Sequence, residues 1–316
     1  MRVIGREEVA RRLSYEVCIP IVRQAMIAFS RGQTRQHLRS IIPLAKGAFA
    51  IMPGAIGEDA AFGAKLISVY PRNPAIGRQA HQGLVVLFEP ETGEPVCVVH
   101  AGEITAIRTA AASAVATDAL ARSDSHRLAI LGAGEQAATH ARAITKVRDI
   151  RGVTVWGRSM ERAQAFAGRM GAELGLPVAA VADVEAAVAE ADIICTVTAA
   201  REPVLKGAWV RPGAHLNLVG SSVAGPVEVD NDLVVRSRFI VDSREGVLSQ
   251  GAEFLAAKAA GLIGDDHIAA EIGQVLAGDV AGRRSAAEVT VYKSLGHVVQ
   301  DLASAWVLYS DIEPPT

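Results

Sequence analysis

Cysteine is scarce in this chain: 316 residues hold only 3, Cys18, Cys97 and Cys195, far apart and forming neither a C-x-x-C pair nor an even-numbered set. That excludes a disulfide framework and fits a reducing cytoplasm. Net charge is nearly absent as well. With 34 acidic against 32 basic side chains the formal charge is -2, so no global basic field exists for nucleic acid or an anionic membrane, and neither is expected as a partner. Long hydrophobic runs are missing too. The most apolar tracts, LVVLF (84–88) and IICTV (193–197), have the length of strands and fall far short of a bilayer span. The first residues, MRVIGREEVARRLSYEV, carry charges of both signs where a signal peptide would need an apolar stretch, so a soluble cytoplasmic protein is expected. None of the 8 histidines stands at a spacing from carboxylates or cysteines that suits a metal ion, and no metal is expected.

What is present is material for a substantial core. Half the residues are hydrophobic (50%), and a chain of this length makes one large or two ordinary domains. Residues 6–31 read as helical, with Pro20 marking a break and Gly32 a stop. From about Leu38 to His100 come short β-type runs, RSIIPL, AFAIMP, AKLISVY, GLVVLFEP and PVCVVHAG, with a hairpin signal at Glu91-Thr92-Gly93-Glu94, so this sheet is at least partly antiparallel. An Ala-rich helix follows, Ile104 to Arg122. After Ser123-Asp124-Ser125 strands and helices alternate, from RLAILGAG and EQAATHARAITKV onward, and that spacing predicts a doubly wound parallel sheet. The last segment, VTVYKSLGHVVQDLASAWVLY, reads as a short strand and an amphipathic helix.

Gly132-Ala133-Gly134-Glu135-Gln136-Ala137 is G-x-G-x-x-A, directly after the strand RLAIL and opening a helix. Gly132 permits a tight turn, Gly134 lets backbone approach a pyrophosphate, and small Ala137 lets helix and strand pack closely while helix N–H groups face the anion. A dinucleotide site is therefore expected at Gly132, Gly134, Glu135, Gln136 and Ala137. The cofactor is discriminated at the end of the next strand, where Asp or Glu would hold the ribose of NAD and Arg would suit the 2′-phosphate of NADP. Twenty residues after Ala137 the chain reads Gly157-Arg158-Ser159, with no carboxylate. Arg158 and Ser159 favour NADPH, with NADH possible. Thr196, Thr198 and Ser221 close later strands, where carboxyl ends line the cofactor crevice; each also reads as a strand-end hydrogen-bonding residue.

The chain resembles the ornithine cyclodeaminase/mu-crystallin family over nearly its whole length, through LRSIIPL (38–44), IMPG (51–54), AKLISVY (64–70), HQGLVVLFEPETG (81–93), EITAIRTAAASA (103–114), LGAGEQA (131–137), EPVLKGAWVRPGAHLNLVGS (202–221) and YKSLGHVVQD (292–301). The resemblance implies a Rossmann unit, 123–288, inserted into a discontinuous α+β substrate-binding and dimerisation domain, 1–122 with 289–316. It also implies that Arg39, Lys65 and Arg108 converge on a substrate α-carboxylate, with Lys65 and Arg108 catalytic. Each is oddly placed for a solvated charge: Arg39 precedes an apolar strand, Lys65 interrupts one, and Arg108 lies on an Ala-rich helix. Taken singly, an internal salt bridge or a snorkelling side chain explains any of them as well. Gly296, on the segment that family analogy brings to the nicotinamide, joins the expected cofactor contacts.

One position departs from the cyclodeaminases. They carry an aspartate in a G-x-D-x-P-G context, and this chain reads Gly220-Ser221-Ser222-Val223-Ala224-Gly225. Serine at 222 lacks the basicity that deamination and ring closure need, and the ketimine reductases of the family are similar to this chain in having serine there. Glu228 lies beyond a glycine turn and is not expected to substitute. The expectation is an NADPH-dependent imine reductase acting on 1-pyrroline-2-carboxylate or 1-piperideine-2-carboxylate, with Ser222 and His81 also lining the substrate, and a homodimer by family analogy. His297, where the family usually has a small or apolar residue, bears on substrate size; for either histidine a structural role reads better. The alternatives are an ornithine cyclodeaminase, an open-chain amino-acid dehydrogenase such as alanine dehydrogenase, and a non-catalytic NADPH-bound protein.

Overall fold

The computed structural model describes residues 1–57 and 60–310. They form two compact units, Met1–Ala111 with the segment from His297 onward, and Ala112–Gly296.

The first unit is built on a sheet with strands in the order Arg2–Ile4, Pro95–His100, His81–Phe88, Phe62–Val69, Gly47–Ala55 and Arg35–Gln36, with Ser40–Leu44 also paired to Gly47–Ala55. All pairings but that of Arg2–Ile4 with Pro95–His100 are antiparallel. The hairpin expected at Glu91–Glu94 forms: Gly93 takes φ 75°, and the Glu89 carboxylate accepts from the N–H groups of Glu91 and Thr92. Period-two alternation sends Met52, Lys65, Ile67, Val85 and Leu87 to one face, where all are buried. The helix Val298–Ser310 crosses that face over three of the strands and packs on the helix Tyr15–Ser30. On the opposite face Phe62 and Leu84 remain 37% and 45% exposed.

Pro20 does not break the first helical stretch. Arg6–Arg12 and Tyr15–Ser30 are separate helices divided at Leu13-Ser14, and Pro20 sits inside the second, past its first turn, where it forfeits the N–H bond to the carbonyl four residues back. Burial of Cys18, Ile21, Val22, Ala25 and Met26 along one stripe holds the helix through it.

The second unit is a parallel sheet in the order Val178–Val181, Gly152–Trp156, Arg127–Leu131, Ile193–Thr196, His215–Leu218, Thr290–Lys293, Arg238–Val241, Ile268–Glu271. Its first five strands run 3-2-1-4-5 in chain order, the Rossmann arrangement, with the switch point between Arg127–Leu131 and Ile193–Thr196. Strands covered on both faces are mostly apolar, and a polar side chain there needs a partner, as Thr196, His215 and Asn217 have in Glu228, Thr290 and Thr117. Ile193–Thr196 and His215–Leu218 are accordingly buried at every position.

Both domain boundaries differ from those expected. Composition changes at Ser123, but the helix Ala101–Leu120 is continuous, and its second half is bound into the second unit by Ser113 to His140 and by Asn217 to Thr117. At the other end Thr290–Lys293 is a central strand of the parallel sheet, so the second unit extends to Gly296.

Candidate active site

In the first unit, Lys65 lies mid-strand on the inward face and Arg108 on the helix Ala101–Leu120; both reach Asp301 on the helix Val298–Ser310. The Asp301 Oδ1 accepts from Lys65 Nζ at 2.8 Å and Arg108 Nε at 2.9 Å, and the three side chains are 5% exposed or less. Arg108 Nη1 donates to Gln300 Oε1 at 2.9 Å. Burying three charges costs several kcal/mol per ion unless they are paired, and here one carboxylate oxygen serves two cations.

Arg39 occupies the break between Arg35–Gln36 and Ser40–Leu44 and belongs to the same field. Burial pushes Lys65 down to about 8, with Arg108 and Arg39 adding to the fall and Asp301 opposing it. For Asp301, burial raises the carboxyl, but Arg108 and Lys65 outweigh it and hold the group below its ordinary value. His81 shares the inward face with Lys65; burial, then Lys65 and Arg108, drive it down to about 4. His297 packs against Phe29 with the rings tilted and their centroids 4.2 Å apart, and burial takes it to about 4 against the pull of Asp301. Arg39, Lys65, Arg108 and His81 are thus brought together, with both histidines neutral at pH 7. The cluster carries a net positive charge suited to a small carboxylate.

In the second unit the glycine loop has the required form. Gly132 adopts φ 129°, and a side chain there would press on the Val197 carbonyl. At Gly134, N-cap of the helix Glu135–Ile144, an added Cβ would meet nothing, leaving room for a ligand against the backbone. Ala137 is fully buried at the helix–strand contact, while Glu135 is exposed and Gln136 half-buried. These residues fit a dinucleotide pyrophosphate. Gly157 packs against Ala133, which brings the next two residues beside the loop: Arg158 is exposed, and Ser159 caps the helix Met160–Leu174 by accepting from Arg162 N.

The strand-end hydroxyls are committed inward. Glu228, fully buried, accepts from Thr196 Oγ1 (2.7 Å), Thr198 Oγ1 (2.7 Å), Thr198 N (2.6 Å) and Gly220 N (2.7 Å). Burial raises its carboxyl, and the two threonine hydroxyls act against the rise. A Cβ at Gly220 would collide with the Thr198 carbonyl and with Glu228 itself, so glycine is needed for this approach. Ser221 donates to Glu253, which pairs with Lys293 at 2.7 Å, and Lys293 also donates to Ser221 O and Oγ. Ser222 is half-buried in the loop that follows. Gly296 takes φ 81° and donates to Asp242 Oδ2. Buried hydroxyls need partners; Thr196, Thr198 and Ser221 find them in the protein.

Asp301, Gln300, Glu253 and Lys293 escaped the reading of the sequence. A signal existed for Asp301: it interrupts the apolar run VVQDLASAWVLY just as Arg108 interrupts an Ala-rich helix.

Known proteins resemble this chain over nearly its whole length. The chain is 38% identical to the ketimine reductase mu-crystallin of Mus musculus, over 97% of this chain and 96% of that one. It is 35% identical to the Delta(1)-pyrroline-2-carboxylate reductase of a Bacillus cereus strain, over 98% and 96%. Among solved structures, the Thermococcus litoralis Delta(1)-pyrroline-2-carboxylate reductase in complex with NADH and L-proline superposes with a TM-score of 0.93 at 34% identity, covering 100% of both chains. The profile of the ornithine cyclodeaminase/mu-crystallin family matches residues 2–314, and the chain belongs to that family.

Proposed function

We propose that the protein reduces a cyclic ketimine carboxylate, 1-pyrroline-2-carboxylate or 1-piperideine-2-carboxylate, to L-proline or L-pipecolate at the expense of NADPH. The observation that carries this reading is the net-positive cluster of Lys65 and Arg108, buried around one internal carboxylate, with half-buried Arg39 acting on Lys65, in a chain whose second unit has an open glycine loop. Gly132, Gly134, Glu135, Gln136 and Ala137 would hold the dinucleotide, with Arg158 and Ser159 on the 2′-phosphate. When bound, the reduced nicotinamide supplies a hydride.

The protein's own work is then positional. Arg39, Lys65 and Arg108 neutralise and orient the substrate carboxylate. The buried surroundings exclude water and strengthen those contacts. A protonated C=N carbon is already electrophilic, so no strong base is called for, and the buried carboxylates of each unit are engaged: Glu228 accepts from four donors and Asp301 Oδ1 from two cations. That favours reduction over the cyclodeaminase reaction, as does Ser222.

The same reading places the protein in the cytoplasm, in keeping with three free, buried cysteines, and makes it a homodimer through the half-exposed sheet face of the first unit. Support for the dimer is the apolar make-up of that face, where Phe62 and Phe88 stack at 5.4 Å and Leu84 stands exposed.

A panel assay tests the function: oxidation of NADPH and of NADH with 1-pyrroline-2-carboxylate, 1-piperideine-2-carboxylate, or pyruvate plus ammonia, and ammonia release from ornithine. Turnover of the cyclic imines is expected. Ammonia release from ornithine without imine reduction overturns the reading, and turnover of pyruvate alone transfers the protein to the open-chain dehydrogenases.

A further inference from the structure

We propose that Gln300 and Asp301, consecutive on the helix Val298–Ser310, are the positioning pair of the substrate site, fixing Arg108 from two directions and holding Lys65 beside it so that both cations meet one carboxylate. The proposal rests on the ketimine reading above. Arg108 spends Nε on Asp301 and one N–H of Nη1 on Gln300, and its Nη2 has no partner among the described residues. A planar guanidinium held at two points cannot swing, and what it leaves open is an end that a carboxylate can grip. Gln300 is itself anchored, its Nε2 donating to Met26 Sδ at 3.2 Å. Asp301 Oδ2 is buried without a hydrogen-bond partner among the described residues, so the whole hold on both cations passes through Oδ1.

Asp301 also sets the charge of the array. Lys65 and Arg108, both buried, would repel one another and half-buried Arg39, and one internal carboxylate offsets part of that repulsion. The groups whose fields act on Lys65 from neighbouring elements are Asp301, Arg108 and Arg39, and His81 on the adjoining strand feels Lys65 in turn. His297 and the Cys18 thiol, which pairs with Ser304, complete the titratable surroundings of Asp301. Without the Asp301 charge, burial and the two guanidinium groups act on the Lys65 ammonium unopposed, and it loses its proton at lower pH.

The experiment compares wild type, Asp301→Asn and Gln300→Leu by steady-state kinetics with 1-pyrroline-2-carboxylate across pH, alongside NADPH affinity and titration with L-proline. Asp301→Asn is expected to lower kcat/KM about 100-fold and to move its alkaline limb down by about one pH unit. Gln300→Leu is expected to raise KM about 10-fold with kcat within about threefold and the limb unmoved. NADPH affinity should stay within about twofold in both, and L-proline affinity, which reads the carboxylate site without turnover, should fall in both. An active wild type whose Asp301→Asn form keeps its kcat/KM and pH profile overturns the proposal. If Asp301→Asn does not fold, Gln300→Leu decides, and an unchanged KM and L-proline affinity overturn it. A wild type that binds L-proline yet turns over no imine overturns the functional reading instead, and the L-proline titrations of the variants still judge the positioning pair.

Discussion

Single residues carried most of what the sequence disclosed about chemistry. The family resemblance singled out Arg39, Lys65 and Arg108, and each is oddly placed for a solvated charge; Lys65 and Arg108 are buried and paired with a carboxylate, whereas Arg39 is half-buried. Asp301 breaks an apolar run and went unremarked, since a lone carboxylate on a helix reads as solvated until its partners are known, and those partners lie 236 and 193 positions away. Glu228 was set aside because a glycine turn separates it from Ser222, yet the turn is what folds it back under Gly220. All four of its partners donate, two of them backbone N–H groups that cannot reverse. Glu228→Gln must therefore set an amide NH2 against at least one N–H, and it should cost about 1–3 kcal/mol in urea unfolding; an unchanged midpoint would show that the four contacts are not fixed. Arg158 invites a sharper test of cofactor choice. Arg158→Leu is expected to weaken NADPH by about 10- to 100-fold through the loss of a charge-assisted bond while leaving NADH nearly untouched, and equal losses for both would remove Arg158 from the 2′-phosphate.

Elements were legible where a local rule sufficed. The strand, glycine turn and helix at 127–144 followed from pattern alone, as did the hairpin at Glu91–Glu94. The short strands Arg2–Ile4 and Arg35–Gln36 were not foreseen, because two or three residues hold no periodicity and their pairing is supplied by Pro95–His100 and Gly47–Ala55. Pro20 misled for the same reason: intrinsic preference lost to the packing of a buried stripe. The outer face of the antiparallel sheet is the element whose meaning is open to direct test. Alternation should make such a face polar if water covers it, whereas this one carries Phe62, Leu84 and Phe88. Leu84→Lys is expected to turn a dimer into a monomer in sedimentation velocity, and a persistent dimer would move the interface elsewhere.

For the molecule as a whole, the balance of charge hides how many ionisable groups are buried. His140 and His215 are fully buried, and burial drives them down to about 4 and about 3. Unfolded, both take up a proton near pH 6.5, so the unfolded chain binds more protons than the folded one below that pH, and stability falls as pH drops from about 6.5 through about 4. The loss at pH 5 is on the order of 2 kcal/mol for each. Urea midpoints measured from pH 7 to 5 should decline accordingly, and His140→Gln should flatten the decline; a level profile would mean that these imidazoles find proton-accepting partners. Asp301 and Glu253, held below their ordinary values by Lys65, Arg108 and Lys293 against the effect of burial, add their share only at still lower pH.

The strand Thr290–Lys293 lies between His215–Leu218 and Arg238–Val241, both made long before it. While the ribosome is still short of residue 290, each of those strands presents an unpaired edge, and Lys65 and Arg108 await the aspartate that the helix Val298–Ser310 brings. Neither unit can close during most of its own synthesis. The nascent chain must travel with two open sheet edges, the state most exposed to chaperones and to mispairing, and Lys65 and Arg108 gain their buried carboxylate only among the last events of folding.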